Sequence, residues 1–222
     1  MSKIHIPKLR KILHNHSITD TREEGVKLIR PILKNKNCRD YPDLFLDFAF
    51  LLYHVALKNY WNVNSPGKIT AARRKIKEAT KILKKLISLE EEIGATHKTI
   101  INAKIFLAQI YAIEGNVMAI ALAKENFRKN SNSLMANRMA DVYQRLGKLG
   151  LAAKWYKKYA RLGRKEKTPK YHLTGVMANF YKNIGRDKLA REYLKKTLCE
   201  LPNNKIGASM RSVLKSNFPN DK

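Results

Sequence analysis

Ala108-Gln109-Ile110-Tyr111-Ala112-Ile113-Glu114-Gly115 returns in pattern, though not in letter, as Ala140-Asp141-Val142-Tyr143-Gln144-Arg145-Leu146-Gly147 and as Ala178-Asn179-Phe180-Tyr181-Lys182-Asn183-Ile184-Gly185. Each stretch reads small–x–x–aromatic–x–x–x–Gly. Each closes one apolar-periodic helix and precedes a second. The small residue lets two antiparallel helices approach closely, and the tyrosine, one turn on, packs toward the next helix. The glycine can take the left-handed conformation that ends a helix and turns the chain back. A further small residue stands five positions beyond the glycine at Ala152 and Ala190, while Ala119 and Ala121 straddle that place in the first stretch.

Working outward, the same helical-pair logic continues with a weaker motif. Pro42 starts a helix at its first position, with Phe45, Phe48, Ala49, Leu52, Tyr53 and Ala56 at helical spacing. The Asn62–Gly67 stretch breaks it. A second, longer helix is expected from about Lys68 to Glu92, with Ile69, Ala72, Ile76, Ala79, Ile82, Leu83 and Leu86 on one face. Residues 1–38 read as a shorter pair, Ile4–His14 and Asp20–Lys34, with Asp20 or Thr21 as N-cap and Pro31 shortening or kinking the second helix. Ile206, Met210, Val213 and Leu214 predict a C-terminal amphipathic helix that covers the last apolar face.

The glycines are 32 and 38 residues apart, near the 34-residue period of the tetratricopeptide repeat. On these residues the chain resembles that family over about 99–204. The closest unit is Tyr171–Asn204, with Ala178, Tyr181, Gly185, Ala190 and a terminal Leu201-Pro202-Asn203-Asn204 like the family's turn between repeats. The Ser133–Lys167 unit ends instead in the longer Gly163–Pro169 tail, and the Thr99–Lys129 unit is degenerate in its second helix. The resemblance implies an all-α, right-handed α-solenoid of antiparallel helix pairs. No strand periodicity and no long Gly/Ser linker interrupts the chain. One continuous domain is therefore expected, built from an N-terminal pair (1–38), an enlarged TPR-like hairpin (39–98), three TPR-like units (99–204) and a capping helix (205–222).

Composition bounds the function. The 222 residues are 44% hydrophobic with only Gly 10 and Pro 7, values of a folded, helix-rich chain. Lys+Arg 45 against Asp+Glu 18 gives +27, a self-repulsion that an anionic partner would offset. Cys38 and Cys199 are far apart without metal-ligand spacing, and both are expected reduced, Cys199 as a buried thiol. The basic N-terminus lacks an apolar core segment and a cleavage site. Leu44–Leu57 carries Asp47 and His54 and is too short to span a bilayer. A soluble cytoplasmic protein is the expectation.

No phosphate loop, nucleophile elbow, HExxH or CxxC is present, so the chain reads as non-catalytic, with no cofactor, metal or small-molecule substrate expected. His14 and His16, two apart, diverge on a helix and make a poor chelate. His54 and His172 read as structural histidines, and Glu90-Glu91-Glu92 as a solvated helix end.

Two binding surfaces are expected. Family groove positions fall on Ile105, Gln109, Asn137, Asp141, Gln144, His172, Asn179 and Lys182. This set is mostly neutral and lacks the Lys/Asn/Arg clamp of chaperone-binding members, since Asp141 stands where an amide is wanted. The second surface is basic. Arg73, Arg74, Lys77, Lys81, Lys84 and Lys85, then Lys154, Lys157, Lys158 and Arg161, then Lys188, Arg191 and Lys195 recur at helical spacing opposite the apolar faces. From Lys154 to Lys170 there are eight basic residues and one acid, Glu166. The first expectation is an adaptor whose groove binds a protein or peptide, with the basic face as a secondary contact and an acidic partner. The alternative is RNA or ribosome association, with Tyr156, Tyr159 or Trp61 stacking on bases, against a reading of these aromatics as core-packing residues that is the preferred one for Tyr156 and Tyr159. Attachment to an anionic membrane surface is a third, weaker reading.

Overall fold

The computed structural model describes residues 9–12, 15, 21–34, 36–61, 66–94 and 97–217. Among them every regular element is an α-helix: α1 Arg22–Leu33, α2 Pro42–Trp61, α3 Pro66–Ile87, α4 Glu90–Ile93, α5 Lys98–Ile113, α6 Met118–Lys129, α7 Ser133–Arg145, α8 Leu149–Lys165, α9 Lys170–Asn183, α10 Asp187–Glu200 and α11 Lys205–Asn217. The chain divides into two compact units, Met1–Lys129 and Asn130–Lys222.

In the first unit α2 is apolar almost all round, and it is covered almost all round. Leu44, Leu46, Phe48, Ala49, Leu51, Leu52, Tyr53, Val55 and Ala56 are buried, as a helix without a polar face requires. It pairs with α3, while α1 and α5 pack on its other sides. Val26, Ile29 and Leu33 of α1, Ala72, Ala79, Leu83 and Leu86 of α3, and Ala103, Leu107 and Ile110 of α5 complete one core. Leu9 joins it, and Arg10 reaches Asp43 and Asp47, each at 2.9 Å. Residues 9–12 of the expected Ile4–His14 helix are helical, and its other residues apart from these lie outside the described ones. Thr21 stands at the N-cap of α1 without a side-chain capping bond, Asp20 lies outside the described residues, and the helix ends two residues after Pro31.

The long helix expected to run to Glu92 stops at Ile87. Ser88 Oγ donates to the Lys85 carbonyl at 2.8 Å, a local bond that competes with helix continuation. Leu89 then turns the chain into the separate single turn α4.

In the second unit α7 pairs with α8, α9 pairs with α10, and α8 meets α9. Where α8 meets α9 a side chain is excluded. A Cβ on Gly163 would lie 2.6 Å from Leu173 Cδ2. The expected C-terminal helix is present as α11, with Leu214 and Met210 packed against Ala178, Ala190, Leu194 and Leu201. The side chains of Ile206 and Val213 lie outside the described residues.

The motif glycines end their helices in one shared geometry. Gly115, Gly147 and Gly185 have φ of 71°, 70° and 70°. In each turn the glycine N–H donates to the carbonyl of the residue after the tyrosine. The next N–H donates to the tyrosine carbonyl: Asn116 to Tyr111 at 2.8 Å, Lys148 to Tyr143 at 2.9 Å and Arg186 to Tyr181 at 2.8 Å. This double closure is a Schellman motif. It fixes the aromatic-to-glycine spacing through the backbone. Ala108, Ala140 and Ala178 are buried on the first helices, and Ala119, Ala152 and Ala190 on the second ones. Ala121, the other straddling residue, is exposed.

Candidate functional site

The basic residues occupy the faces their spacing predicts. On α3 the buried Ala72, Ile76, Ala79, Leu83 and Leu86 leave Arg73, Arg74, Lys77, Lys81, Lys84 and Lys85 exposed. On α8 Ala152, Tyr156 and Tyr159 are buried, whereas Lys154, Lys157 and Arg161 are exposed and Lys158 is half-buried over the Trp155 ring at 4.4 Å. On α10 Ala190, Leu194 and Thr197 face inward, with Lys188, Arg191 and Lys195 outside.

The acid of the Lys154–Lys170 run is committed elsewhere. Glu166 accepts from the Ser133 backbone N–H at 2.9 Å and from the Ser133 hydroxyl at 2.5 Å. A carboxylate at the start of α7 meets unsatisfied N–H groups and the positive end of the helix dipole. Its charge therefore serves α7 and leaves the α8 cations without a counter-ion from their own helix.

The groove positions divide between the units. Ile105 and Gln109, in the first, are both buried at 6% exposure. In the second, Asn137, Asp141, Gln144 and Lys182 are half-buried, and His172 and Asn179 are exposed. Two of these face a structural demand. Tyr156, on α8, donates from its hydroxyl to Asp141 Oδ1 at 2.8 Å and lies 2.9 Å from the Gln144 amide. The atom facing it is the Gln144 amide oxygen, so the single hydroxyl proton is shared between the two acceptors. Burial, then the Asp141 charge, pushes the Tyr156 phenol above its ordinary value. Asp141, which breaks the chaperone-type clamp, thus anchors α8 to α7. The Asn137 amide oxygen is buried and has no hydrogen-bond partner among the described residues.

The aromatic, histidine and cysteine expectations fare differently. Tyr156 and Tyr159 are 3% and 7% exposed and offer no ring face to a base, because they fill the space between α8 and its neighbours. Trp61 ends α2, and its side chain lies outside the described residues, as do His14 and His16. His54 is half-buried against Phe50 at 4.2 Å between ring centroids. His172 is exposed beside Tyr171. Cys199, expected buried, is exposed, whereas Cys38 is fully buried, its thiol pushed up to about 11 by burial. Position 199 falls off the inward line of Ala190, Leu194 and Thr197 on α10.

Glu90 is not simply a solvated helix end. The Lys104 ammonium on α5 is 3% exposed and lies 2.5 Å from Glu90 and 2.8 Å from Glu125, while Lys129 lies 2.7 Å and 3.2 Å from the same two acids. The four charges alternate and join α4, α5 and α6. Hydrogen bonds from Lys104, then Lys129, hold the Glu90 carboxyl below its ordinary value, and Glu125 is lowered by the same pair. Glu92 pairs instead with Arg39 at 2.7 Å. The sequence signal for this cluster was a lone lysine inside the apolar Ile100–Ile113 run, downstream of the acidic run.

Among the described residues no group of three or more His, Cys, Asp or Glu is placed to hold a metal ion, and no helix is long and apolar enough to cross a membrane.

No family model and no curated protein matches the sequence. Solved structures do. A Podospora anserina protein described as a kinesin light chain with nearly identical TPR-like repeats is 16% identical, with 89% of this chain and 95% of that chain covered, at TM-score 0.58. The fold is TPR-like. A single-substitution variant of the same protein aligns at 15% identity over 86% of this chain and 92% of that chain, TM-score 0.57. A structure of MamA (AMB-1) aligns more loosely, at 15% identity, 89% and 99% coverage and TM-score 0.43. The TPR-like pairs put the basic residues of α3, α8 and α10 on second helices and the groove positions on the first helices α5, α7 and α9.

Proposed function

We propose that the chain is a non-catalytic, TPR-like scaffold whose exposed second-helix cations take an acidic protein partner. The observation that carries this reading is the α8 face, where Lys154, Lys157, Arg161, Arg164 and Lys165 are exposed and Glu166 is turned away to Ser133. Like charges three and four residues apart on a helix cost a few tenths of a kcal/mol each. An external anion that sits across them removes that cost. The half-buried polar groove residues of the second unit supply a second contact, with the unpartnered Asn137 amide available to a peptide backbone.

RNA is the runner-up, because phosphates need only the same cations. It is disfavoured by the burial of Tyr156 and Tyr159, since base stacking on aromatics supplies much of single-strand affinity. The test is capture from native extract by the full chain and by a Lys154→Gln, Lys157→Gln, Lys158→Gln, Arg161→Gln variant, each with and without nuclease. The reading expects protein partners that survive nuclease and are depleted by the variant. Partners unchanged in the variant contradict it, and partners released by nuclease favour RNA.

A further inference from the structure

One concave site has no groove position in its lining and is built mainly from a second helix. Leu57 near the end of α2, Arg73, Ile76, Lys77 and Thr80 along α3, and Ile113 and Glu114 at the end of α5 enclose about 450 Å³. That volume lies within the range of sites that hold a small ligand or a few side chains. Leu57, Ile76 and Ile113 make it apolar. Arg73 and Lys77 are exposed at its edge, and neither ion-pairs with a described residue. Glu114 also stands exposed and without an ion pair among the described residues. The site therefore pairs two available cations with one available carboxylate around an apolar floor.

Thr80 adds an independent sign. Its hydroxyl oxygen is buried and has no hydrogen-bond partner among the described residues, which costs about 1–3 kcal/mol. Helical threonine divides between two χ1 rotamers. A rotation moves the hydroxyl to a different side of the Cβ at small cost and gives the pocket wall a donor and acceptor.

We infer that this pocket binds a peptide segment that sets an apolar side chain beside an aspartate or glutamate. The apolar side chain fills the Leu57–Ile76–Ile113 floor. The ligand carboxylate lies between Arg73 and Lys77, Glu114 accepts a backbone N–H of the same segment, and the Thr80 hydroxyl donates to one of its backbone carbonyls. A simple alkyl carboxylate meets the cations and the floor but leaves Glu114 facing an anion with no donor, so the mixed charge of the rim selects a peptide. The inference rests on the reading of the chain as a protein-binding scaffold, and it places a contact in the first unit.

The experiment is a methyl NMR titration of the full chain, labelled at Ile and Leu methyls, with an acetylated and amidated hexapeptide of alternating Glu and Leu as probe. Saturable shifts at Leu57, Ile76 and Ile113 are expected. Arg73→Gln with Lys77→Gln weakens binding about tenfold or more, the loss expected when charge-assisted contacts go. Thr80→Val weakens it several-fold without lowering the unfolding midpoint. Lys34→Gln with Lys98→Gln, exposed in the same unit but outside both the pocket and the basic stripes, changes it less than about twofold. Absent shifts, equal losses in the two charge variants, or equal affinity for a Gln/Leu hexapeptide or for laurate each overturn the proposal. Repeating the titration on the α8 quadruple-Gln variant separates the two readings. Loss of captured partners with the titration intact removes the α8 surface alone, and the converse removes the pocket alone.

Discussion

At the scale of single residues, one backbone device recurs four times with one irregular member. Gly115, Gly147 and Gly185 hold positive φ at no steric cost. After α8 the same double closure forms around Lys167, with φ 57°, where Thr168 N–H donates to the Gly163 carbonyl at 2.8 Å and Lys167 N–H to the Arg164 carbonyl at 3.3 Å. A lysine there pays the left-handed penalty that glycine avoids. Gly147→Ala is expected to lose about 1 kcal/mol and Lys167→Gly to gain up to about 1 kcal/mol, read from urea midpoints. Equal and opposite signs are the point of the pair. The small–aromatic–glycine motif was legible because both its ends are backbone requirements. The Lys167 turn was not, since no residue type announces a left-handed lysine, and the Gly163–Pro169 tail registered only as extra length.

At the scale of elements, helix pairs could be read from apolar spacing, and the charges that lock them could not. Lys104 is a buried cation inside an apolar helix, and its partners Glu90 and Glu125 lie on other helices, so spacing along one helix could not join them. Lys104→Met should cost about 1–3 kcal/mol, less than a fully buried pair because both acids are partly exposed. Chemical denaturation checks it. The pH dependence has a fixed sign. Glu90 and Glu125 titrate below their ordinary 4.5 in the folded chain, so their contribution is present above that value and is lost as pH falls through the lowered one. Lys129 titrates above its ordinary 10.5, so its contribution is present below that value and is lost as pH rises through the raised one. In Lys104→Met the acid-side loss should shrink, and an unchanged acid limb of the stability profile would remove this role for the cluster. The cysteines carry the same lesson. Cys199 sits in an apolar-looking helix, but its angular position faces out.

At the scale of the whole molecule, with its net +27, second helices carry exposed stripes of cations, while several acids are drawn into particular contacts: Glu166 to Ser133, Glu78 to Arg30 at 2.8 Å, and Asp43 and Asp47 to Arg10. That division explains how a strongly cationic chain keeps ordinary helix pairs. It also explains why the stripes were legible from sequence and the groove was not. Stripe exposure follows from helical periodicity alone, whereas the burial of Gln109 and the bond from Tyr156 to Asp141 depend on tertiary packing that a linear pattern does not show. The central claim is that carboxylates of a protein partner lie on the α8 and α10 cations. Zero-length carbodiimide coupling in native extract reads that contact directly, because it joins a lysine amine to a carboxylate only when the two touch. Nuclease-resistant intermolecular cross-links concentrated at Lys154, Lys157, Lys188 and Lys195 are the predicted result. Intermolecular cross-links that avoid these four lysines, or that vanish with nuclease, would contradict it.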